Sequence, residues 1–302
     1  MFKRILLLLI LISNVTYSQL SDKHWIPPLH AVSPSVVNEH FLYLSTPSVT
    51  PFQVSVTNGS GTPIAGSPFT ISQSTPVRVT IGNSQPSTMF LDINDINVVK
   101  NNKGLILEGS KEFYASFKVR GEFHAEILVP KGRTALGTAF RLGSLPQLYS
   151  SGIRNFVSSF MATEDNTTVL LSDYDTNVVF ASGTGNITDN TQTFTLNAGE
   201  SVVVSGYDNF PANWTGFVGA LLTSDKPIVV NTGNATGGLG PNPGAGGGSG
   251  QDFNLDQIVG FNNVGTEYVV VKGNGSNNTE KPLIIATQDN TNVYVNGSST
   301  PI

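Results

Sequence analysis

The side chains in this sequence with most capacity for chemistry are carboxylates, and they occur in three settings. Asp252 and Asp256 follow a glycine-rich run, Gly237–Gly250, in which eight of fourteen residues are glycine. At i, i+4 spacing a single helical turn brings both carboxylates to one face, where they would bind a ligand together. The competing reading is a short surface turn whose Phe253, Leu255 and Ile258 plug a core. Asp92, Asn94, Asp95 and Asn97 place four oxygen-bearing side chains within six residues and are a candidate calcium site. They lack the glycine and distal glutamate of an EF-hand loop, and calcium needs six to eight oxygens. A solvated turn is the alternative. Glu164, Asp165, Asp173 and Asp175 could pair for glycoside hydrolysis, which requires two carboxyls about 5 to 10 Å apart across a cleft.

Other chemistries lack their residues. The chain has no cysteine, which removes disulfides, thiolate metal sites and a cysteine nucleophile. His24, His30, His40 and His124 are scattered, and a zinc site needs three or four converging ligands. The glycine run has no Gly-Lys-Ser/Thr ending, so it is not a phosphate loop, and no Gly-x-Ser-x-Gly elbow is present. The expectation is a protein that is not an enzyme and needs no cofactor, with calcium as the one candidate ion.

These residues are positioned by a repeat. Ala162-Thr-Glu-Asp-Asn-Thr-Thr-Val169 returns as Ala286-Thr-Gln-Asp-Asn-Thr-Asn-Val293 with six of eight positions unchanged. Leu136-Gly-Thr-Ala-Phe140 precedes the first copy and Val264-Gly-Thr-Glu-Tyr268 the second, and a weaker third copy lies at Leu44–Val56. The period is about 120 residues, the size of a small β domain or of two propeller blades. Asp-Asn favours a tight turn, and the following Thr-x-Val starts a strand. Since Asp165 and Asp289 occupy equivalent positions, turn formation explains them better than catalysis does.

Nearly every apolar segment after the first twenty residues is short, alternates with period two and is bounded by Gly, Pro, Asn or Asp. Phe113–Val119 is the clearest case, and Val77–Ile81, Glu126–Val129, Thr168–Ser172, Ser201–Ser205, Glu267–Val271 and Thr291–Val295 follow it. The fold class is all-β, as tandem antiparallel β units of about 120 residues that are β-sandwich-like, with a β-propeller-like arrangement as the alternative. The expected divisions are a signal peptide at 1–18, a first unit at 19–150 and a second at 151–302. The second carries the glycine-rich insertion at 237–250 and the truncated start of a further repeat from about residue 285.

Lys3-Arg4, the apolar run Ile5–Ile12 and the small residues before Gln19 describe a secretory leader cleaved near Ser18/Gln19. The run is too short to span a bilayer. Net charge is −5, and removing the leader makes it more acidic, so nucleic acid is an unsuitable partner. Only 12% of residues are charged, about half the usual share, with Ser, Thr, Asn and Gly in their place. Such a surface suits an extracellular protein, and the absence of cysteine points to a bacterial source.

Glu108-Gly-Ser-Lys111, Ala135-Leu-Gly-Thr138, Met161–Val169, Asn197-Ala-Gly-Glu200, Ser224-Asp-Lys-Pro227 and Asp252-Phe-Asn-Leu-Asp-Gln-Ile258 resemble the IgGFc-binding protein N-terminal domain family. Similar bacterial chains stand at the front of large surface proteins of gliding Bacteroidota exported by type IX secretion. The resemblance implies a secreted or outer-surface β module that recognises or adheres to an extracellular protein or glycan; a passive spacer and a glycan-active enzyme are the alternatives. It adds Gln257 to Asp252 and Asp256 as the candidate binding residues. Animal members use cysteines and this chain has none, so immunoglobulin binding is not implied.

Overall fold

The computed structural model describes residues 19–31, 37–121, 124–148, 150–238, 251–273 and 282–302. The expected leader and residues 239–250 of the glycine-rich run lie outside the described residues. Alternating side chains, read as strands in the sequence, form two seven-stranded antiparallel sheets. The first contains β1 (Ser21–Ile26), β2 (Val37–Ser45), β3 (Phe52–Asn58), β4 (Phe69–Ile71), β5 (Val77–Gly82), β6 (Leu105–Gly121) and β7 (Ala125–Leu128). The second unit runs through β8 (Gly137–Arg141), β9 (Asn155–Ala162), β10 (Thr167–Ser172), a small hairpin of β11 (Phe180–Ser182) and β12 (Gly185–Ile187), β13 (Gln192–Leu196), β14 (Ser201–Tyr207), β15 (Leu221–Gly237) and β16 (Asp252–Ile258). The hairpin stands apart, and the other seven strands form the sheet. Because β8 already belongs to it, the expected division at residue 150 falls inside the second sheet.

Each sheet is organised on one long strand of 17 residues. The first half of β6 pairs with β1 and β3, and its second half with β2 and β7. In the same way β15 pairs first with β8 and β10, then with β9 and β16. The outer strands β4 and β5 correspond to β13 and β14. The two units therefore thread seven strands in the same chain order, each as a sandwich-like pair of halves sharing a central strand. A pair of four-stranded blades would not share a strand in this way.

The first core is built from the inward positions of β2, β3 and β6: Leu42, Leu44, Val54, Val56, Leu107, Phe113 and Phe117. The second gathers Phe140, Phe160, Val169, Leu171, Leu222 and Val230, with Phe156 and Phe217 stacked at 4.0 Å. Strand β9 is buried along its whole length, Asn-Phe-Val-Ser-Ser-Phe-Met-Ala. Phe156 and Phe160 point into the second core, whereas Val157 joins the first core and Met161 packs with Trp25 and Val229. The outer face of this half of the second unit is thus covered by the first unit.

Two copies of the repeat fall between the second and third strands of a unit, Leu44–Val56 between β2 and β3 and Ala162–Val169 between β9 and β10, whereas Ala286–Val293 is flanked by no strand among the described residues. Asn166 and Asn290 adopt the left-handed conformation at φ 54° and 57°, which asparagine tolerates better than most residues. Thr167 Oγ1 donates to the Glu164 carbonyl at 2.7 Å and Thr291 Oγ1 to the Gln288 carbonyl at 2.8 Å. A 3-10 turn leads into β8 at Gly132–Ala135, and another at Phe261–Asn263 leads into Val264. The local geometry repeats, but the strands expected at Glu267–Val271 and Thr291–Val295 do not form. In the second unit the corresponding β8 and β10, and β9 between them, all bond to β15. The described residues beyond Ile258 hold no long central strand of that kind, and a strand without a ladder has no backbone partners. Val269 and Val271 are consequently 87% and 84% exposed.

Burial also fixes the charge state of three histidines. His40 lies against Phe90 at 4.7 Å between ring centres, and burial lowers its pKa from 6.5 to about 4; burial likewise lowers His24 and His30. A depressed histidine pKa means that the unfolded chain takes up protons first as pH falls. Stability from these groups is complete above pH 6.5 and declines below it, with His40 contributing on the order of 3 kcal/mol of the loss by pH 4. Denaturant unfolding at pH 7 and pH 4.5 is expected to show this decline, and His40→Leu is expected to make it smaller; an unchanged pH dependence would contradict the assignment.

Candidate functional site

The sequence candidates Asp252, Asp256 and Gln257 lie together on β16, a strand rather than the helical turn suggested by their spacing. Alternation still places both aspartates on one face, four residues or about 13 Å apart at strand rise, and sends Gln257 to the other. Asp252 and Asp256 are exposed and Gln257 is fully buried. β16 follows the glycine-rich connection and packs beside β7 of the first unit, so the carboxylates border the seam between units.

Each aspartate has a partner across that seam. Asp252 Oδ1 accepts from the Ala125 backbone N–H at 2.8 Å and from Phe253 N–H at 2.9 Å, with His124 Nδ1 4.0 Å away. Lys131 Nζ donates to Asp256 Oδ1 at 2.6 Å and also to the Gln257 carbonyl. Glu126 on β7 lies between them in the electrostatic sense: its carboxyl is raised above the ordinary range, chiefly by burial, and the charges of Asp252 and Asp256 add to the shift. Sequence reasoning read Glu126 only as part of a strand, because its nearness to β16 depends on how the units dock. The result is an acidic strip, Asp252, Glu126 and Asp256, bounded by His124 and Lys131.

Gln257 is a structural latch. Its Oε1 accepts from Lys131 N–H at 2.7 Å, and its Nε2 donates to the Trp25 carbonyl at 2.9 Å and to Asn231 Oδ1 at 3.2 Å. Asn231 Nδ2 in turn donates to the Pro27 carbonyl at 3.0 Å. Every hydrogen-bonding group of the Gln257 side chain is engaged within the protein, so a ligand would meet Asp252 and Asp256 and not Gln257.

The other candidates are separated or already engaged. Asp92 Oδ1 accepts from the backbone N–H and the side-chain amide of Asn94, while Asp95 pairs with Lys100 at 2.7 Å. Asn97 is left-handed at φ 61° and donates its backbone N–H to Val203. These four make a turn that docks on β14, and among the described residues no group of three or more His, Cys, Asp or Glu is placed to hold a metal ion. Glu164 and Asp165 precede β10, whereas Asp173 and Asp175 follow it. That six-residue strand holds the pairs about 20 Å apart at ordinary strand rise, beyond the 5 to 10 Å of paired glycosidase carboxyls. Asp173 pairs with Arg141 at 3.0 Å, and hydrogen bonds from Asn177 hold Asp175 below the ordinary range. His24 bonds the Phe113 carbonyl and His30 lies between the Leu91 carbonyl and the Tyr207 hydroxyl, so these two are engaged at separate places.

A tandem β module with an acidic strip at its seam is the class of protein that this geometry defines. The family model described as IgGFc binding protein matches residues 124–302, more than half the chain, and the protein belongs to that family. No curated protein and no solved structure matches the chain. Among the described residues no helix is long and apolar enough to cross a membrane.

The two roles on β16 are separable by mutation. Gln257→Leu removes hydrogen bonds to Lys131, Trp25 and Asn231 and is expected to destabilise the fold by about 2 to 4 kcal/mol. Asp252→Ala and Asp256→Ala remove exposed interactions and are expected to change stability by less than about 1 kcal/mol each; denaturant unfolding measures all three, and equal effects would contradict the assignment. Chelation with EDTA is expected to leave the melting temperature unchanged, and a fall would reinstate the Asp92–Asn97 turn as an ion site.

Proposed function

We propose that the protein is an extracellular ligand-recognition module that forms the front of a larger bacterial surface protein. Membership of the IgGFc binding protein family supports an extracellular protein as the ligand. Secretion is supported by the leader-like sequence at 1–18, and a bacterial source by the absence of cysteine together with the resemblance to surface proteins of Bacteroidota. Residues 286–293 carry the turn geometry of a further unit, which supports a serial architecture of such modules.

The observation that carries the reading is the acidic strip. Asp252 and Asp256 stand exposed on β16, an edge strand paired to β15, next to the longest glycine-rich connection in the sequence, while the neighbouring Gln257 is consumed by the fold. Binding residues on loops and loop-proximal strand ends of a fixed scaffold are the usual arrangement for β modules. Catalysis is disfavoured by the 20 Å separation across β10 and by the engagement of Asp173 and Asp175 within the protein.

The test is binding to immobilised immunoglobulin G Fc fragments and to protein and glycan arrays. Fc is the first probe because the family description names it. The intact protein is expected to bind a protein ligand, and the double variant Asp252→Ala/Asp256→Ala to lose at least ten-fold in affinity at unchanged melting temperature. Equal binding by the variant would remove the strip from the site. Failure of the intact protein to bind on any array would favour the passive spacer.

A further inference from the structure

The two units are threaded alike, yet equivalent faces meet different surroundings. In the second unit, the outer face of the β14–β9–β15–β16 half is covered by the first unit. Met161 and Val229 pack under Trp25 and Ile106, Asn231 bonds Pro27, and Lys100 bridges to Ser201. In the first unit the equivalent half is β5–β2–β6–β7, and no described residue covers its outer face. That face is not an ordinary polar surface. Tyr43, Tyr114 and Ile127 are 38%, 40% and 53% exposed. Phe41 stands beside Tyr43 on the same side of β2, with the Arg78 guanidinium 4.7 Å from its ring centre.

The register places these side chains in rows. Thr80, Phe41, Lys118 and Ile127 are cross-strand neighbours, and Arg78, Tyr43 and Ser116 form the next row. Arg120 stands opposite Glu39 at 3.5 Å. Arg78, Lys118 and Arg120 therefore frame the aromatic patch, with Glu39 paired to Arg120 and Glu112 at the edge beside Tyr114, on a protein whose net charge is −5. Aromatic residues and arginine are the side chains enriched at protein contacts.

A complementary surface exists on the same molecule. The outer face of the β13–β10–β15–β8 half is rich in threonine, with Arg141 at its margin paired to Asp173. Leu170 lies between Thr193 and Thr223, and Asp225 stands beside Thr168. Glu164 and Asp165 border it in the exposed turn before β10. Within one chain it is this kind of half, β1–β6 of the first unit, that supplies Trp25 and Ile106 to cover the second unit.

We propose that copies of this chain associate head to tail, with the cationic aromatic face of one first unit receiving the acidic threonine-rich face of another copy's second unit. The contact repeats the order of packing already present between the two units of one chain. It is heterologous, since different patches meet, so it generates rings or open chains rather than a closed two-fold dimer. Opposite charges on the two patches set the orientation and make the association salt-dependent. The Asp252–Asp256 site borders this face along β7, where Ala125 bonds Asp252 and Glu126 precedes Ile127, so the variants that test the contact leave Asp252 and Asp256 unchanged.

Sedimentation velocity of the intact protein over a range of concentrations tests it. The weight-average mass is expected to rise with concentration at low ionic strength and to return to monomer in high salt. Arg78→Glu/Lys118→Glu is expected to remain monomeric, with melting temperature as the control for folding, and so is Glu164→Lys/Asp225→Lys. Mixing the two variants is expected to restore association, because each then offers a patch that the other matches. A protein monomeric at every concentration would overturn the proposal. So would association that persists in Arg78→Glu/Lys118→Glu, as contact through the exposed residues Tyr268–Val271 would produce, or two variants that fail to combine.

Discussion

Strand β9 has no face left for water, and the whole molecule is arranged around that condition. Its even-numbered aromatic residues fill the second core. Its odd-numbered side chains need a second cover, which the first unit provides through Trp25, Ile26 and the segment around Phe90. A sheet buried on both sides must also find partners for most of the polar groups it carries inward. Asn231, Gln257 and Asn234 do so by bonding the backbones of Pro27, Trp25 and Asn155. Apolar contact brings the units together, and Asn231 and Gln257, which bond Pro27 and Trp25 of the first unit, fix their register. A shift of one strand residue would leave several buried carbonyls and amides without partners.

The division of labour on β16 follows from the same constraint. Because the strand alternates, Gln257 is sent into the seam, while Asp252 and Asp256 are left on the opposite side, where their charges stay hydrated. Glu126 reaches the strip because β7 of the first unit lies alongside β16. A surface feature assembled from both units thus exists only while the units remain docked. In this sense the seam is the part of the fold on which any recognition by the strip depends.

Much of the fold was legible in the sequence. Period-two alternation disclosed the second half of β6 and most of β10, since those strands have a core on one side only, and β14 reads as a strand from its β-branched run although it is buried on both faces. Strand β9 was missed because burial on both faces erases alternation, and the Ser158-Ser159 pair interrupts its apolar run. The length of strand β15 is hidden in the sequence because Asp225-Lys226-Pro227 resembles a turn; in the fold the strand continues from Leu221 through the irregularity to Gly237. The Asp-Asn turns were read correctly from side-chain chemistry, which is local. The strands expected after the second turn do not form, since strand formation is not local and requires a partner. At the candidate site, composition located β16, but the opposite roles of Gln257 and its neighbouring aspartates required knowledge of which face the first unit covers.

The central claim is that the two units form one cooperative structure held by the seam. Native-state hydrogen exchange followed by mass spectrometry addresses it directly, using peptides from β2 and β6 of the first unit and from β9 and β15 of the second. Cooperative units of a protein open with a shared free energy. The expected result is that the slowest amides of all four strands lose protection together as denaturant rises. Persistent protection of β2 and β6 after β9 and β15 have exchanged would show that the units stand independently and would contradict the account.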